Sequence, residues 1–312
     1  MGNRPFRFGL NVGTSKGRDD FLSAVRRAEA AGYSTIVSPD HIGPRLAVLP
    51  LLATAAEIAP AMRVSPMVIA NDYRHPAALA KEAATIDILS GGRFELGLGT
   101  GWIADQYQAA GMAYDPPGVR VDRLEEAITV IKGLWGGKPF SYSGDHYQLN
   151  KLVGPRPIQR PHPPLLIAGG GPRMLRLAGR QADIISINPL KPGGRSFDTF
   201  DADTAEFGAR IEAQLGWIKE GAGERFDEVE LSVMIHHIAV KAASDAVVND
   251  LAAKTGAMPS QIRLSPNVLV GSAEEIKDTL LERRERYGLS YFVIGAHHLE
   301  AMQPVIAQLA RT

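Results

Sequence analysis

Residues Ser90-Gly91-Gly92-Arg93-Phe94-Glu95-Leu96-Gly97-Leu98-Gly99-Thr100-Gly101-Trp102 decide how this chain of 312 residues is read. The glycine pair turns the chain into a short apolar run of strand type, 94–98, and glycines then recur at every second position beyond it. Backbone that bare admits a flat ring, a phosphate or simply a neighbouring strand at close range. In isolation the string imitates the acidic-x-Gly-x-Gly-x-Gly turn that holds S-adenosylmethionine in transferases, with Glu95 on the ribose. It imitates more loosely the dinucleotide fingerprint, whose spacing is Gly-x-Gly-x-x-Gly. Both motifs open the first strand–helix unit of their sheet, so what precedes residue 90 matters.

Three strand–helix units precede it. Strands are expected at 6–12, 35–38 and 63–69, each followed by a helical segment, at 19–31, 51–58 and 76–89. Beyond it come a helix at 119–135, a small hairpin at 140–149 and a proline-rich stretch, 154–164, read as a stiff surface connection. The alternation then resumes with strands at 165–168, 184–187, 229–240 and 291–294, and helices at 173–181, 204–219, 243–254, 273–287 and 300–309. Eight strand–helix units predict an α/β fold, a (β/α)8 TIM barrel forming one domain over 1–312. Loop insertions fall near 102–117, 137–163, 188–203 and 256–270, mostly at the C-terminal face where such barrels keep their sites.

Composition narrows the function. Lys plus Arg and Asp plus Glu each total 34, leaving no net field to gather nucleic acid or an acidic membrane. With no cysteine, a disulfide framework, a thiolate nucleophile and an iron–sulfur cluster are excluded, and no two-His-plus-carboxylate set suggests a metal. No segment has the apolar length of a signal peptide or membrane span, so a cytoplasmic protein acting on a small-molecule substrate is expected.

Two further strings could carry chemistry. Leu165-Leu-Ile-Ala168-Gly169-Gly170-Gly171-Pro172-Arg173-Met174 runs from a strand through three glycines into a helix, and helix-terminal amides with one Arg suit a phosphate, although a plain tight turn would look the same. Ser38-Pro39-Asp40-His41 leaves the second strand. An imidazole beside a carboxylate there can move a proton near neutral pH, or serve only as a structural hydrogen-bond partner.

Taken in order, Ala28-Glu29-Ala30-Ala31-Gly32-Tyr33, Pro39-Asp40-His41, His75-Pro76, Ser90 to Trp102, Gly169 to Arg173 and Val270-Gly271-Ser272-Ala273-Glu274-Glu275 resemble the bacterial-luciferase-like superfamily, closest to its actinobacterial deazaflavin-dependent members. The resemblance covers about 6–309 and implies a barrel oxidoreductase, usually a homodimer, that binds coenzyme F-420 or reduced flavin mononucleotide (FMN). It implies catalytic roles for His41 and Asp40. It places a ring-supporting non-proline cis peptide at Met67-Val68, further cofactor contacts at Gly99, Thr100, Gly101 and Trp102, and a phosphate loop at Gly169, Gly170, Gly171, Pro172, Arg173 and Met174. The family's sugar and alcohol dehydrogenases carry Glu where Trp102 stands and Trp where Arg45 stands, which argues against those substrates. Gly99 and Thr100 replace the thiol and Arg of the light-emitting enzymes. The expected function is hydride transfer with coenzyme F-420. The alternatives are an FMN-dependent monooxygenase, a remote S-adenosylmethionine-dependent transferase and a non-catalytic coenzyme carrier.

Overall fold

The computed structural model describes residues 4–14, 16–188, 207–240, 244–256 and 258–310. Its strands are β1 (Arg7–Asn11), β2 (Thr35–Ser38), β3 (Arg63–Pro66), β4 (Ile69–Ala70), β5 (Leu96–Gly99), β6 (Phe140–Ser143), β7 (Gln148–Leu152), β8 (Leu165–Gly169), β9 (Ile184–Ile187), β10 (Glu230–Ile235), β11 (His237–Val240), β12 (Val268–Gly271) and β13 (Leu289–Gly295). One sheet has the order β3-β2-β1-β13-β10-β9-β8-β5-β4. β3 and β4 are two halves of a single run, 63–70. β4 pairs in parallel with β5 (Ile69 opposite Leu98), and Val64 of β3 bridges to Phe94 just before β5. Counted once, that run leaves eight parallel strands in the order of a (β/α)8 barrel, as the alternation predicts.

The helices are α1 (Arg18–Ala30), α2 (Val48–Ile58), α3 (Pro76–Leu89), α4 (Ala104–Ala109), α5 (Pro117–Trp135), α6 (Pro172–Gln181), α7 (Phe207–Ala222), α8 (Ser244–Thr255), α9 (Pro259–Leu264), α10 (Ala273–Tyr287) and α11 (Leu299–Leu309). By packing, the chain forms two compact units. One comprises Val12–Arg26 and Ile36–Ala168. Its core includes Leu52, Leu79, Phe94, Leu96, Leu98, Tyr107 and Leu124, all fully buried. Helix α3 starts where the sequence marks it. Pro76 takes the first turn, which needs no amide from it, and the His75 ring accepts a hydrogen bond from the Ala77 amide (3.2 Å). The buried Asp87 carboxylate accepts from the Ile158 and Gln159 amides (2.7 and 3.0 Å), so the proline-rich stretch is tied into this unit and is no linker. Glu126 accepts from the amides of Asp145, His146 and Tyr147, anchoring the β6–β7 hairpin to α5.

The other unit comprises Met1–Asn11, Arg27–Thr35 and Gly169–Thr312. Here the sequence reading needs correction. The strand expected over 229–240 breaks at His236, because the His236 and His237 amides both turn to the Asn267 carbonyl (2.8 and 3.2 Å). Its second half, β11, leaves the main sheet and pairs in parallel with β12. The insertion near 256–270 therefore holds a helix and a strand, and Val248, Leu251, Ala252, Ile262 and Val268 form their own buried cluster. Buried Arg283 secures this lobe by donating to the carbonyls of Ser265, Pro266 and Val268. The insertion near 188–203 lies, beyond Asn188, outside the described residues, as do the expected helix starts at Thr204 and Ala243. Among the described residues no helix is long and apolar enough to cross a membrane.

A β-carbon on Gly97 would sit 2.0 Å from the Pro66 carbonyl oxygen, a backbone atom with no room to yield. Gly97→Ala should therefore cost about 3 kcal/mol or more of unfolding free energy, read as a lowered urea midpoint. A midpoint equal to the parent's would contradict this packing.

Candidate active site

The run that carries β3 and β4 is interrupted by a cis peptide between Met67 and Val68, the position that the resemblance implies. The Met67 amide donates to the Ser38 carbonyl (2.8 Å), which ties the interruption to the end of β2. Val68 lies against the glycine strand, with its Cγ2 2.7 Å from where a Gly99 β-carbon would stand. Gly101 adopts φ +73°, and a β-carbon there would meet the Tyr107 hydroxyl at 2.1 Å. Close packing against the Pro66 carbonyl, the Val68 side chain and the Tyr107 hydroxyl thus explains the three alternating glycines, 97, 99 and 101.

The turn after β5 is held by side chains that no motif marks. Buried Arg120 donates through Nη1 to the carbonyls of Thr100 (3.2 Å) and Gly101 (2.5 Å) and through Nε to that of Asp115 (3.0 Å). Tyr107 donates to the Thr100 carbonyl and to Asp72, each at 3.2 Å, and the Tyr114 hydroxyl donates to the Trp102 carbonyl (3.1 Å). Burial and the Asp72 carboxylate raise the Tyr107 hydroxyl well above its ordinary range, so it remains a donor. Asp72 in turn pairs with Arg123 (2.9 Å), which also binds Asp115. The Trp102 side chain is 46% exposed.

Asp40 and His41, neighbours in sequence, have different surroundings. Both Asp40 oxygens are engaged by Arg74 (2.5 and 3.1 Å), and Oδ2 also accepts from the Ala70 amide (3.3 Å). This carboxylate is a positioning group that locks the end of β2 to β4. His41 is half-buried and hydrogen-bonded to the Gln106 side chain. Gln106 Oε1 also accepts from the Ile42 amide and the Tyr73 hydroxyl, each at 3.2 Å, so the amide is fixed from several sides. Burial first, then the Arg45 guanidinium, lower the His41 pKa against the opposing pull of Gln106 and Asp40. The ring is neutral at pH 7. Sequence reading missed Arg74, Gln106, Tyr107 and Arg120. Gln106 and Tyr107 lie on α4, whose six residues are too short to show a helical period.

In the other unit, β8 ends at Gly169 and α6 begins at Pro172, with Gly171 as its N-cap. A β-carbon on Gly169 would strike Met174 Cγ (2.4 Å), and one on Gly170 the Asn188 carbonyl (2.4 Å). Buried Gln214 donates to the carbonyls of Gly170 (3.0 Å) and Asn188 (2.9 Å), which holds the loop. Of the three, Gly171 is the one where a β-carbon would meet no atom of the described residues within 4 Å.

Glu95 is not free to hold a ribose. Its buried carboxylate is paired with Arg63 (2.5 Å), and residues on both sides of the glycine string share one compact unit. The S-adenosylmethionine reading loses its acidic residue and its separate first element together.

Residues 4–262 match the family described as luciferase-like monooxygenase. The chain belongs to that family. Relatives within it divide by coenzyme. The FMNH2-dependent dimethylsulfone monooxygenase of Pseudomonas putida is 32% identical over 177 residues, covering 55% of this chain and 47% of that protein. The F-420-dependent glucose-6-phosphate dehydrogenase of Microbacterium testaceum is 30% identical over 189 residues, 57% of this chain and 55% of that protein. The chain thus spans about half the length of the curated relatives it matches. In fold it is similar to the coenzyme F-420-dependent tetrahydromethanopterin reductase of Methanopyrus kandleri, with a TM-score of 0.76 and 20% identity over 98% of this chain and 99% of that one.

Two outcomes test the geometry. Arg120→Leu strips donors from three carbonyls and should lower stability by about 3 kcal/mol, measured by chemical denaturation. An NMR titration of the His41 ring should give a midpoint below the ordinary 6.5; a midpoint at or above that value would contradict the site described.

Proposed function

We propose that this chain is an oxidoreductase that uses coenzyme F-420 for hydride transfer between a small organic substrate and the coenzyme, with His41 as the substrate's proton acceptor. The observation that carries the reading is His41 itself, half-buried and hydrogen-bonded to Gln106, three positions from the Ser38 carbonyl that anchors the Met67-Val68 interruption. Met67, Val68, Gly99, Thr100, Gly101 and Trp102 would receive the ring. The fit rests on the turn that follows β5, whose carbonyls are already bound by Arg120, Tyr107 and Tyr114. Gly169 to Met174 would take the phosphate, since α6 begins at a glycine that brings no side chain to its first-turn amides and where a β-carbon would meet no atom of the described residues within 4 Å.

When bound, coenzyme F-420 takes up or gives out a hydride. In the oxidising direction His41 accepts the proton of a substrate hydroxyl through the ring nitrogen that Gln106 does not engage. Gln106 fixes the tautomer, and Asp40 keeps the loop in place through Arg74. A depressed pKa favours this role, because the acceptor form is then present throughout the neutral range. A second reading, oxygen insertion with reduced FMN, is supported by the likeness to the dimethylsulfone monooxygenase.

The test is turnover with coenzyme F-420 and a panel of alcohols. His41→Ala should lower kcat about 100-fold or more with coenzyme affinity unchanged. kcat/KM should fall as pH drops through the His41 midpoint, below 6.5, because protonation removes the acceptor. Gly171→Asp, at a position where a β-carbon meets no atom of the described residues, should weaken coenzyme binding about tenfold without lowering stability. Unchanged turnover in the first variant removes His41 from the chemistry, and unchanged affinity in the second removes the phosphate assignment.

A further inference from the structure

The surroundings of His41 also bear on what kind of molecule reaches it, an inference that rests on the proposed role of that ring. We infer that the substrate is an amphipathic organic acid whose anionic group is held by Arg45 and whose apolar body lies against Ile42, Trp102 and Tyr114. Arg45 stands four positions beyond His41. It is exposed, and its Nη1 donates to the Gly13 carbonyl (3.3 Å), which fixes the guanidinium on this face. Among the described residues no carboxylate pairs with it.

Three carboxylates on neighbouring segments are already matched. Asp40 is bound by Arg74, and Asp72 and Asp115 are bound by Arg123. Among the described residues the Arg45 charge is therefore unpaired, and its field reaches His41, where it opposes protonation. A guanidinium in that state suits a carboxylate, which its planar fork can bind through two hydrogen bonds.

Apolar side chains are exposed on the segments next to His41 and after β5. Ile42, Leu46, Trp102 and Tyr114 are among the large hydrophobic side chains left exposed, at 38%, 43%, 46% and 41%. A continuous set of contacts joins His41 to Trp102. Gln106, bonded to His41, also holds the Ile42 amide and the Tyr73 hydroxyl. The Tyr73 ring packs on Tyr107 at 5.2 Å, Tyr107 meets Tyr114 edge-on at 4.9 Å, and Tyr114 binds the Trp102 carbonyl. Apolar groups gathered this way around a polar centre mark a surface that a ligand covers. A phosphorylated sugar would satisfy the cation but leave the apolar wall uncovered, whereas an acid with an alkyl or aromatic body satisfies both.

The test titrates octanoate and octanamide into the purified protein by calorimetry and compares the parent with Arg45→Gln and Arg45→Lys. Octanoate should bind about tenfold more tightly than octanamide. Arg45→Gln should abolish that preference while leaving octanamide binding unchanged, and Arg45→Lys should keep part of it. No preference for the acid in the parent, or a preference that survives Arg45→Gln, overturns the inference. Binding of coenzyme F-420, measured on the same samples, separates the two readings. Coenzyme binding without acid preference refutes only the substrate class, whereas acid preference without coenzyme binding supports the substrate class and counts against the oxidoreductase.

Discussion

The Pro66 carbonyl passes where a β-carbon on residue 97 would otherwise stand, and much of the proposed site depends on that approach. It requires glycine at 97 and, through Val68, at 99. With those side chains missing, the interrupted run 63–70 can lie close to β5 while Val64, Ile69 and Ala70 keep their partners on either side of the break. The interruption is tied in turn to the end of β2, through the Met67 amide on Ser38 and the Ala70 amide on Asp40. One steric constraint thus sets the positions of the strand interruption, the glycine turn and the loop that carries His41.

Charge is distributed around that frame so that one titratable group is left with freedom to act. Asp40, Asp72 and Asp115 are all engaged by arginines, and Arg120 is occupied by backbone carbonyls. Such buried or half-buried pairs hold geometry more than they add stability. The His41 side chain is held by a neutral amide, with its proton affinity lowered by burial and by Arg45. The neighbouring carboxylate is held by Arg74 and the Ala70 amide, and its pull on the His41 proton is the smallest of the four influences on that ring.

Most of the architecture was legible in the sequence, because parallel strands buried on both faces read as short apolar runs and their helices keep a 3.6-residue period. The interruption at Met67-Val68 came from family resemblance alone, whereas the loop at 169–174 was also marked locally, by three glycines running from a strand into a helix. What escaped has particular causes. The break at His236 is silent because apolar alternation continues through Ile238, while the Asn267 carbonyl that diverts the chain lies 30 residues on. Helix α4, six residues long, gives no periodicity, so Gln106 and Tyr107 went unnoticed. Arg120 is one charge on an otherwise ordinary helix, and only the fold shows that it faces the carbonyls of Thr100 and Gly101. The Asp40–His41 pair was found but its roles were not separable, since Arg74 is remote from Asp40 in sequence.

The central claim is that the coenzyme of this chain is a deazaflavin. Equilibrium binding of the purified protein to coenzyme F-420 and to FMN, side by side at one salt concentration, tests it most directly. The account predicts tight binding of coenzyme F-420 and markedly weaker binding of FMN. Preference for FMN, or no binding of either, would contradict it.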